Sequence, residues 1–165
     1  MFASNYYNTI STEGTVKMLL AHPDIDVNLQ DEYGRTALIG VSTYSNTTST
    51  EGTVKMLLEH PNIDVNLQTK EGYTALICAS RNYNKESTEG TVKMLLEHPN
   101  INVNLQNIYG DTALMLASQY SNTTSLEGTV KMLLEHPNID VNLQNENGDT
   151  ELTSLSKYAY MISTE

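Results

Sequence analysis

The side chains best suited to hold a metal or move a proton are the four histidines, His22, His60, His98 and His136, and they stand at intervals of 38 residues. A shared metal needs two or more imidazole nitrogens at ~2.1 Å from one ion. Equivalent atoms in stacked units are separated by about a helix diameter, ~10 Å, so no pair reaches one ion unaided. Each histidine precedes a proline, Pro23, Pro61, Pro99 or Pro137, which places it at a helix C-terminus with its imidazole near free carbonyls. The single cysteine, Cys78, excludes an intrachain disulfide and a Cys-rich zinc module. Its counterparts at the repeat interval are Gly40, Leu116 and Ser154, so it reads as a buried filler and not as a nucleophile. Serines, threonines and carboxylates are plentiful, yet Gly-x-Ser-x-Gly, His-Glu-x-x-His and the P-loop pattern are absent. Gly52-Thr53-Val54-Lys55 lacks the second glycine and the Lys-Ser/Thr ending that would cradle a phosphate. The expectation is no catalytic residue, no metal and no cofactor, hence no enzyme.

What positions these groups is an internal repeat. Glu-Gly-Thr-Val-Lys-Met-Leu-Leu begins at Glu13, Glu51, Glu89 and Glu127, and eight of the nine glycines keep the same interval. Four periods leave 165 − 4 × 38 = 13 residues, so both ends fall inside a unit. Within a unit, Ser49 and Glu51 suit a helix start, Val54, Leu57 and Leu58 form one apolar face, and Pro61 ends the helix at His60. A shorter helix, rich in alanine and serine, is expected from about Thr36 to Tyr44, Thr74 to Asn82, Thr112 to Tyr120 and Thr150 to Tyr158. Its small side chains permit close approach and mark it as the inner layer. Between units, Ile63-Asp64-Val65-Asn66-Leu67-Gln68 leads to Gly72, an extended segment and a residue free to take positive φ, which reads as a hairpin-like finger. One such unit has too little core to stand alone, so the units must stack as a solenoid.

Composition narrows the partners. Nine basic against twenty acidic residues leave a net charge of −11, which repels polyanions. Neither nucleic acid nor an anionic membrane is an expected partner. No apolar run approaches the ~20 residues a bilayer requires, and Met1-Phe2-Ala3-Ser4-Asn5 does not look like a signal peptide. Asn46-Thr47-Thr48 and Asn122-Thr123-Thr124 are therefore expected to be ordinary loop segments and not glycosylation sites. A reducing compartment, cytoplasmic or more broadly intracellular and potentially in a host cell, suits a chain with one thiol.

Gly-x-Thr-Ala-Leu, then Ala-Ser, Val-Lys-Met-Leu-Leu and Asp-Val-Asn, in that order along nearly the whole chain, resembles the ankyrin repeat. Family units are ~33 residues long; here five more are present, four of them between the helices at Ser45-Asn46-Thr47-Thr48 and its copies. Ala37, Ala75 and Ala113 stand where the family usually has proline, and Ile39, Ile77 and Met115 where it usually has histidine. Near-identical long units rich in Asn, Ile and Tyr are similar to arrays encoded by large DNA viruses of amoebae. The resemblance implies an all-α, ankyrin-like helix-turn-helix solenoid with short β-hairpin fingers, a single domain over residues 1–165 with partial units at both ends. Asn28, Asn66, Asn104 and Asn142 fall where the family can be hydroxylated, although tying down the finger is the plainer role.

The family binds proteins through a concave groove lined by the finger tips and by the last turn of the first helix. Carried over, that groove comprises Glu32, Tyr33, Arg35, Tyr44, Lys70, Glu71, Tyr73, Arg81, Ile108, Tyr109, Asp111, Gln119 and Tyr120, where differences between units gather and where Tyr and Arg can anchor an interface. The function implied is a noncatalytic protein-protein interaction module, acting as a monomer. The alternative is a structural spacer within a longer array, with no specific partner. At the carboxyl end, Glu151, Thr153 and Ser154 replace apolar phases and are expected to face outward as a polar cap, with Leu152 and Leu155 holding the helix against the preceding unit.

Overall fold

The computed structural model describes residues 9–43, 48–81, 89–119 and 124–162. Within these residues eight helices follow one another: α1 (Thr9–Leu20), α2 (Ala37–Thr43), α3 (Thr48–Leu58), α4 (Ala75–Arg81), α5 (Glu89–Leu96), α6 (Ala113–Gln119), α7 (Thr124–Leu134) and α8 (Glu151–Ile162). The first helices of the units, α2, α4 and α6 of seven residues each and the longer α8, stack in sequence as one layer, and α1, α3, α5 and α7 stack as the other. Within a unit α2 pairs with α3, α4 with α5 and α6 with α7. The fold is therefore an all-helical solenoid, as the repeat implies.

Each short helix starts where a threonine can cap it. Thr36, Thr74 and Thr112 accept, through Oγ1, the amide hydrogens of Ile39, Ile77 and Met115 at 3.2, 3.0 and 3.1 Å, satisfying one donor left open by helix geometry. The alanines do what their size suggests. Ala75, Ala79, Ala113 and Ala117 are buried between layers beside Leu76, Ile77, Leu114 and Met115. In the long layer Val54, Leu57, Val92, Leu95 and Leu133 complete the core. α3 starts at Thr48, so Ser49, expected ahead of the helix, lies within its first turn. The helix ends at Leu58, with His60 N–H donating to the Leu57 carbonyl at 3.1 Å, before Pro61.

The fingers depart from expectation, because no β-strand occurs among the described residues. The alternation Ile63-Asp64-Val65-Asn66 looks like a strand, but the Asp64 carboxylate accepts the Asn66 amide at 2.9 Å and folds the leg into a turn. Asp26, Asn102 and Asp140 do the same in their units. A backbone amide held by a neighbouring side chain is lost to a sheet ladder. What remains is a tip closed by two backbone bonds, Thr69 N–H to the Tyr73 carbonyl at 3.0 Å and Gly72 N–H to the Thr69 carbonyl at 2.8 Å, with Gln68 Nε2 spanning to the Gly72 carbonyl at 2.8 Å.

The histidines also behave differently from expectation. His60 Nδ1 accepts the Asn62 amide at 3.3 Å, and His22, His98 and His136 repeat the arrangement. The ring acts as an acceptor that caps the turn beyond the helix, since the helix-end carbonyls are already met by backbone donors such as Glu59 N–H on the Lys55 carbonyl.

Candidate functional site

Finger tips reach the same face as the ends of the short helices because each finger is fastened to the next. Asn66 Nδ2 donates to the Asn100 carbonyl at 2.7 Å while its Oδ1 accepts the Asn102 amide at 2.8 Å. Asn28 and Asn104 bridge in the same way. At the tips, Lys70 N–H donates to the Tyr33 carbonyl and Ile108 N–H to the Glu71 carbonyl, both at 3.0 Å. Gly72 has a φ of 80°, and a Cβ there would stand 2.7 Å from Asn107 Cα. The glycine thus serves two needs, a left-handed backbone and contact with the next finger.

The first position of each tip is structural. Asp31, Asn107 and Asn145 each accept two amides of their own tip through Oδ1, and Thr69 accepts one through Oγ1. Substitution at the tips therefore ranges freely only beyond that residue. Glu32, Tyr33, Lys70, Glu71, Ile108 and Tyr109 are exposed there.

Six of the expected groove residues converge on one cavity of about 440 Å³, between the first two fingers and the helices α2 and α4: Tyr33, Arg35, Lys70, Glu71, Tyr73 and Arg81. Ile39, Thr43, Thr69 and Cys78 complete its lining. Arg35 is held at 2.7 Å by Asp31 and lies 4.8 Å from the Tyr33 ring centroid. Arg35 and the tip amides keep the Asp31 carboxyl below its usual range. Arg81 stacks 5.2 Å from the Tyr73 ring centroid, and its Nη1 donates to the Tyr73 hydroxyl at 2.9 Å. Burial pushes the Tyr73 phenol up, against the pull of Arg81. Tyr73 is half-buried against the core, so its ring is fixed in place before any partner arrives.

Burial likewise pushes the Cys78 thiol up, opposed by the Thr43 hydroxyl. Cys78 is half-buried at the cavity wall.

Glu32, Ile108, Tyr109, Asp111 and Gln119 do not line this cavity. Ile108 and Tyr109 remain exposed on the third tip, and Asp111 accepts a hydrogen bond from Asn145 Nδ2 at 3.1 Å. Tyr44 and Tyr120 lie outside the described residues, as do Asn46 and Asn122. Three of the cations that break the repeat, Arg35, Lys70 and Arg81, meet at the cavity, where Glu71 joins them and Asp31 pairs with Arg35, whereas Asp111, Glu146 and Asp149 follow on the later fingers. The face therefore runs from mixed charge at the first two fingers to anionic at the later ones, in a chain that is acidic as a whole.

A larger cavity, about 680 Å³, lies on the opposite layer between α3 and α5, lined by Glu51, Lys55, Leu58, Gly90, Lys93 and Met94 among others. All belong to the invariant part of the unit, and the Glu51 carboxylate rests against Gly90. Its lining is the part of the second helix that every unit shares, so it carries no distinguishing chemistry. Among the described residues no three His, Cys, Asp or Glu side chains gather as a metal site, and no helix is long and apolar enough to cross a membrane.

A family model of ankyrin repeats, in three copies, matches residues 1–107 and 47–145. The chain is similar in structure to EF0377, an ankyrin repeat protein known from its crystal structure. That likeness has a TM-score of 0.73 at 21% identity, over 93% of this chain and 70% of the other. No curated protein matches.

Proposed function

This chain belongs to the ankyrin repeat family, whose repeats are protein-interaction modules, and we propose that it binds a protein partner, without catalysis, through its concave face of finger tips and short helices. The observation that carries this reading is the convergence of Tyr33, Arg35, Lys70, Tyr73 and Arg81 on one cavity. Aromatic rings and guanidinium groups anchor interfaces well when their freedom is already spent. Arg81 and Tyr73 lock each other, Arg35 is fixed by Asp31, and the fingers are tied in series. A partner thus meets a surface that is already ordered, and the ordering cost falls mainly on the partner.

The charge pattern refines the reading. A partner segment with an apolar or aromatic group facing the first two fingers, where the charges balance, and basic groups facing the later ones complements the face. The test uses the partner recovered from the native cell and titrated against variants by calorimetry. Tyr33→Ala combined with Lys70→Glu should weaken binding by about tenfold or more, corresponding to ~1.4 kcal/mol. Lys93→Glu, on the opposite layer, should leave affinity within about twofold. A loss confined to Lys93→Glu would place the site on the other side of the stack.

A further inference from the structure

The wall of the cavity between the first two fingers holds an unusually small side chain for its phase. Cys78 stands there half-buried, whereas one unit later Leu116 occupies the same phase and is buried in the core. A leucine side chain reaches further than a thiol, so the phase that is filled in the third unit is left open in the second. Gly40 and Ser154 hold it elsewhere, and its size therefore changes from unit to unit while the stack around it does not.

The chemistry of the lining says what can enter. Its floor is apolar, since Ile39 is buried and the Thr43 hydroxyl is spent on the Ile39 carbonyl at 2.8 Å. Its walls carry two stacked pairs, the Arg35 guanidinium 4.8 Å from the Tyr33 ring centroid and that of Arg81 5.2 Å from the Tyr73 centroid. These cations do not call for an ion, because Asp31 matches Arg35 and Glu71 stands beside Lys70. An apolar floor under guanidinium groups and phenol rings suits another ring, whose electron-rich face attracts a cation and whose edge packs on a tyrosine. At about 440 Å³ the cavity is in the range of sites that enclose a ligand. Even the largest side chain fits.

We propose that Cys78 sets the specificity of the concave face, by leaving this cavity wide enough for one aromatic side chain of the partner, tryptophan above all, to seat against the two Tyr-Arg pairs. Tryptophan has the ring that attracts cations best and is among the side chains with most apolar area to bury. This rests on binding through the concave face and adds the residue that selects the anchor. The thiol reacts with nothing; its contribution is its size.

N-acetyl-tryptophanamide, a neutral indole probe, titrated into the full chain and followed by amide NMR, tests the proposal. Saturable shifts should gather at Thr43, residues 69–73 and Cys78, and leave α5 unmoved. Cys78→Leu should abolish them, and should fold because leucine already holds this phase at Leu116. Cys78→Ser keeps the space and should keep the shifts. Independently of any variant, the probe should slow alkylation of Cys78, the only thiol of the chain, by iodoacetamide. Absent shifts, equal binding by Cys78→Leu, or alkylation unaffected by the probe would each overturn the proposal. The native partner separates this proposal from the reading beneath it: Cys78→Leu should weaken that complex about tenfold or more, as loss of an anchor does. Affinity lost on Tyr33→Ala with Lys70→Glu but kept on Cys78→Leu would overturn the role of Cys78 and leave the concave face standing. Affinity kept in both would remove the face itself.

Discussion

Glu151 is a carboxylate in an alanine's place. It takes the phase of Ala37, Ala75 and Ala113, is buried against the preceding unit, and its Oε2 has no hydrogen-bond partner among the described residues. Burial pushes its carboxyl up, with the Thr112 hydroxyl opposing. A carboxyl raised on folding binds its proton more tightly in the native state, so stability falls as pH climbs from the unfolded value towards the folded one. Glu151→Gln should therefore stabilise the chain at neutral pH by ~1 kcal/mol. The gain should fade as pH drops through the ordinary carboxylate range, where both states are protonated, as read by urea denaturation at several pH values. At the same scale, Gly72 and Gly148 share positive φ, 80° and 73°, but only Gly72 touches a following finger. Gly148→Ala should cost ~1 kcal/mol from backbone strain. Gly72→Ala should cost ~1 to 3 kcal/mol more, because the added methyl must displace the third finger. Equal losses in denaturation would show that the close approach contributes nothing.

Helices were legible in the sequence because their signals are local. Threonine, a run of small and aliphatic residues, and then His-Pro punctuation place α4 and α5 within a residue or two of where they lie. The inner position of the short layer followed from Ala75 and Ala79 in the same way. The fingers were misread as hairpins because residue alternation records side-chain direction but not which group captures an amide, and Asp64 captures that of Asn66. The carboxyl end was misread more deeply. Glu151 and Ser154, expected to face outward with Thr153, are buried, and Leu152, expected to grip the preceding unit, is exposed, while Leu155 does meet that unit, lining a cavity with Ser118, Val130 and Leu134. The phase that touches the preceding unit is the small one; the leucine phase meets its own second helix, a distinction that depends on tertiary pairing. The same logic grades the long helices. Leu95→Ala, fully buried in α5, should cost ~2 to 5 kcal/mol by opening a cavity. Leu19→Ala in α1 should cost well under half as much, and comparable losses would contradict stability built from unit-to-unit contacts.

Across the whole molecule, invariance and variation have separate duties. Repeated residues make the layers and the Asn and Gln ties between fingers, and so one unit fixes the next. Varied residues beyond the first tip position fall on one face, and six of the thirteen expected groove residues share one cavity there. That convergence was legible as a surface but not as a cavity, since Ile39, Thr69 and Cys78 complete the wall from positions read as core or turn. The most direct test of binding through this face is hydrogen exchange by mass spectrometry, comparing the free chain with its complex with the native partner. Amides of the tips at 31–35, 69–73 and 107–111 should slow on binding, most of all around the first two fingers, while those of 51–59 and 89–97 on the opposite layer stay unchanged. Slowing confined to the opposite layer, with the tips unaffected, would contradict the account.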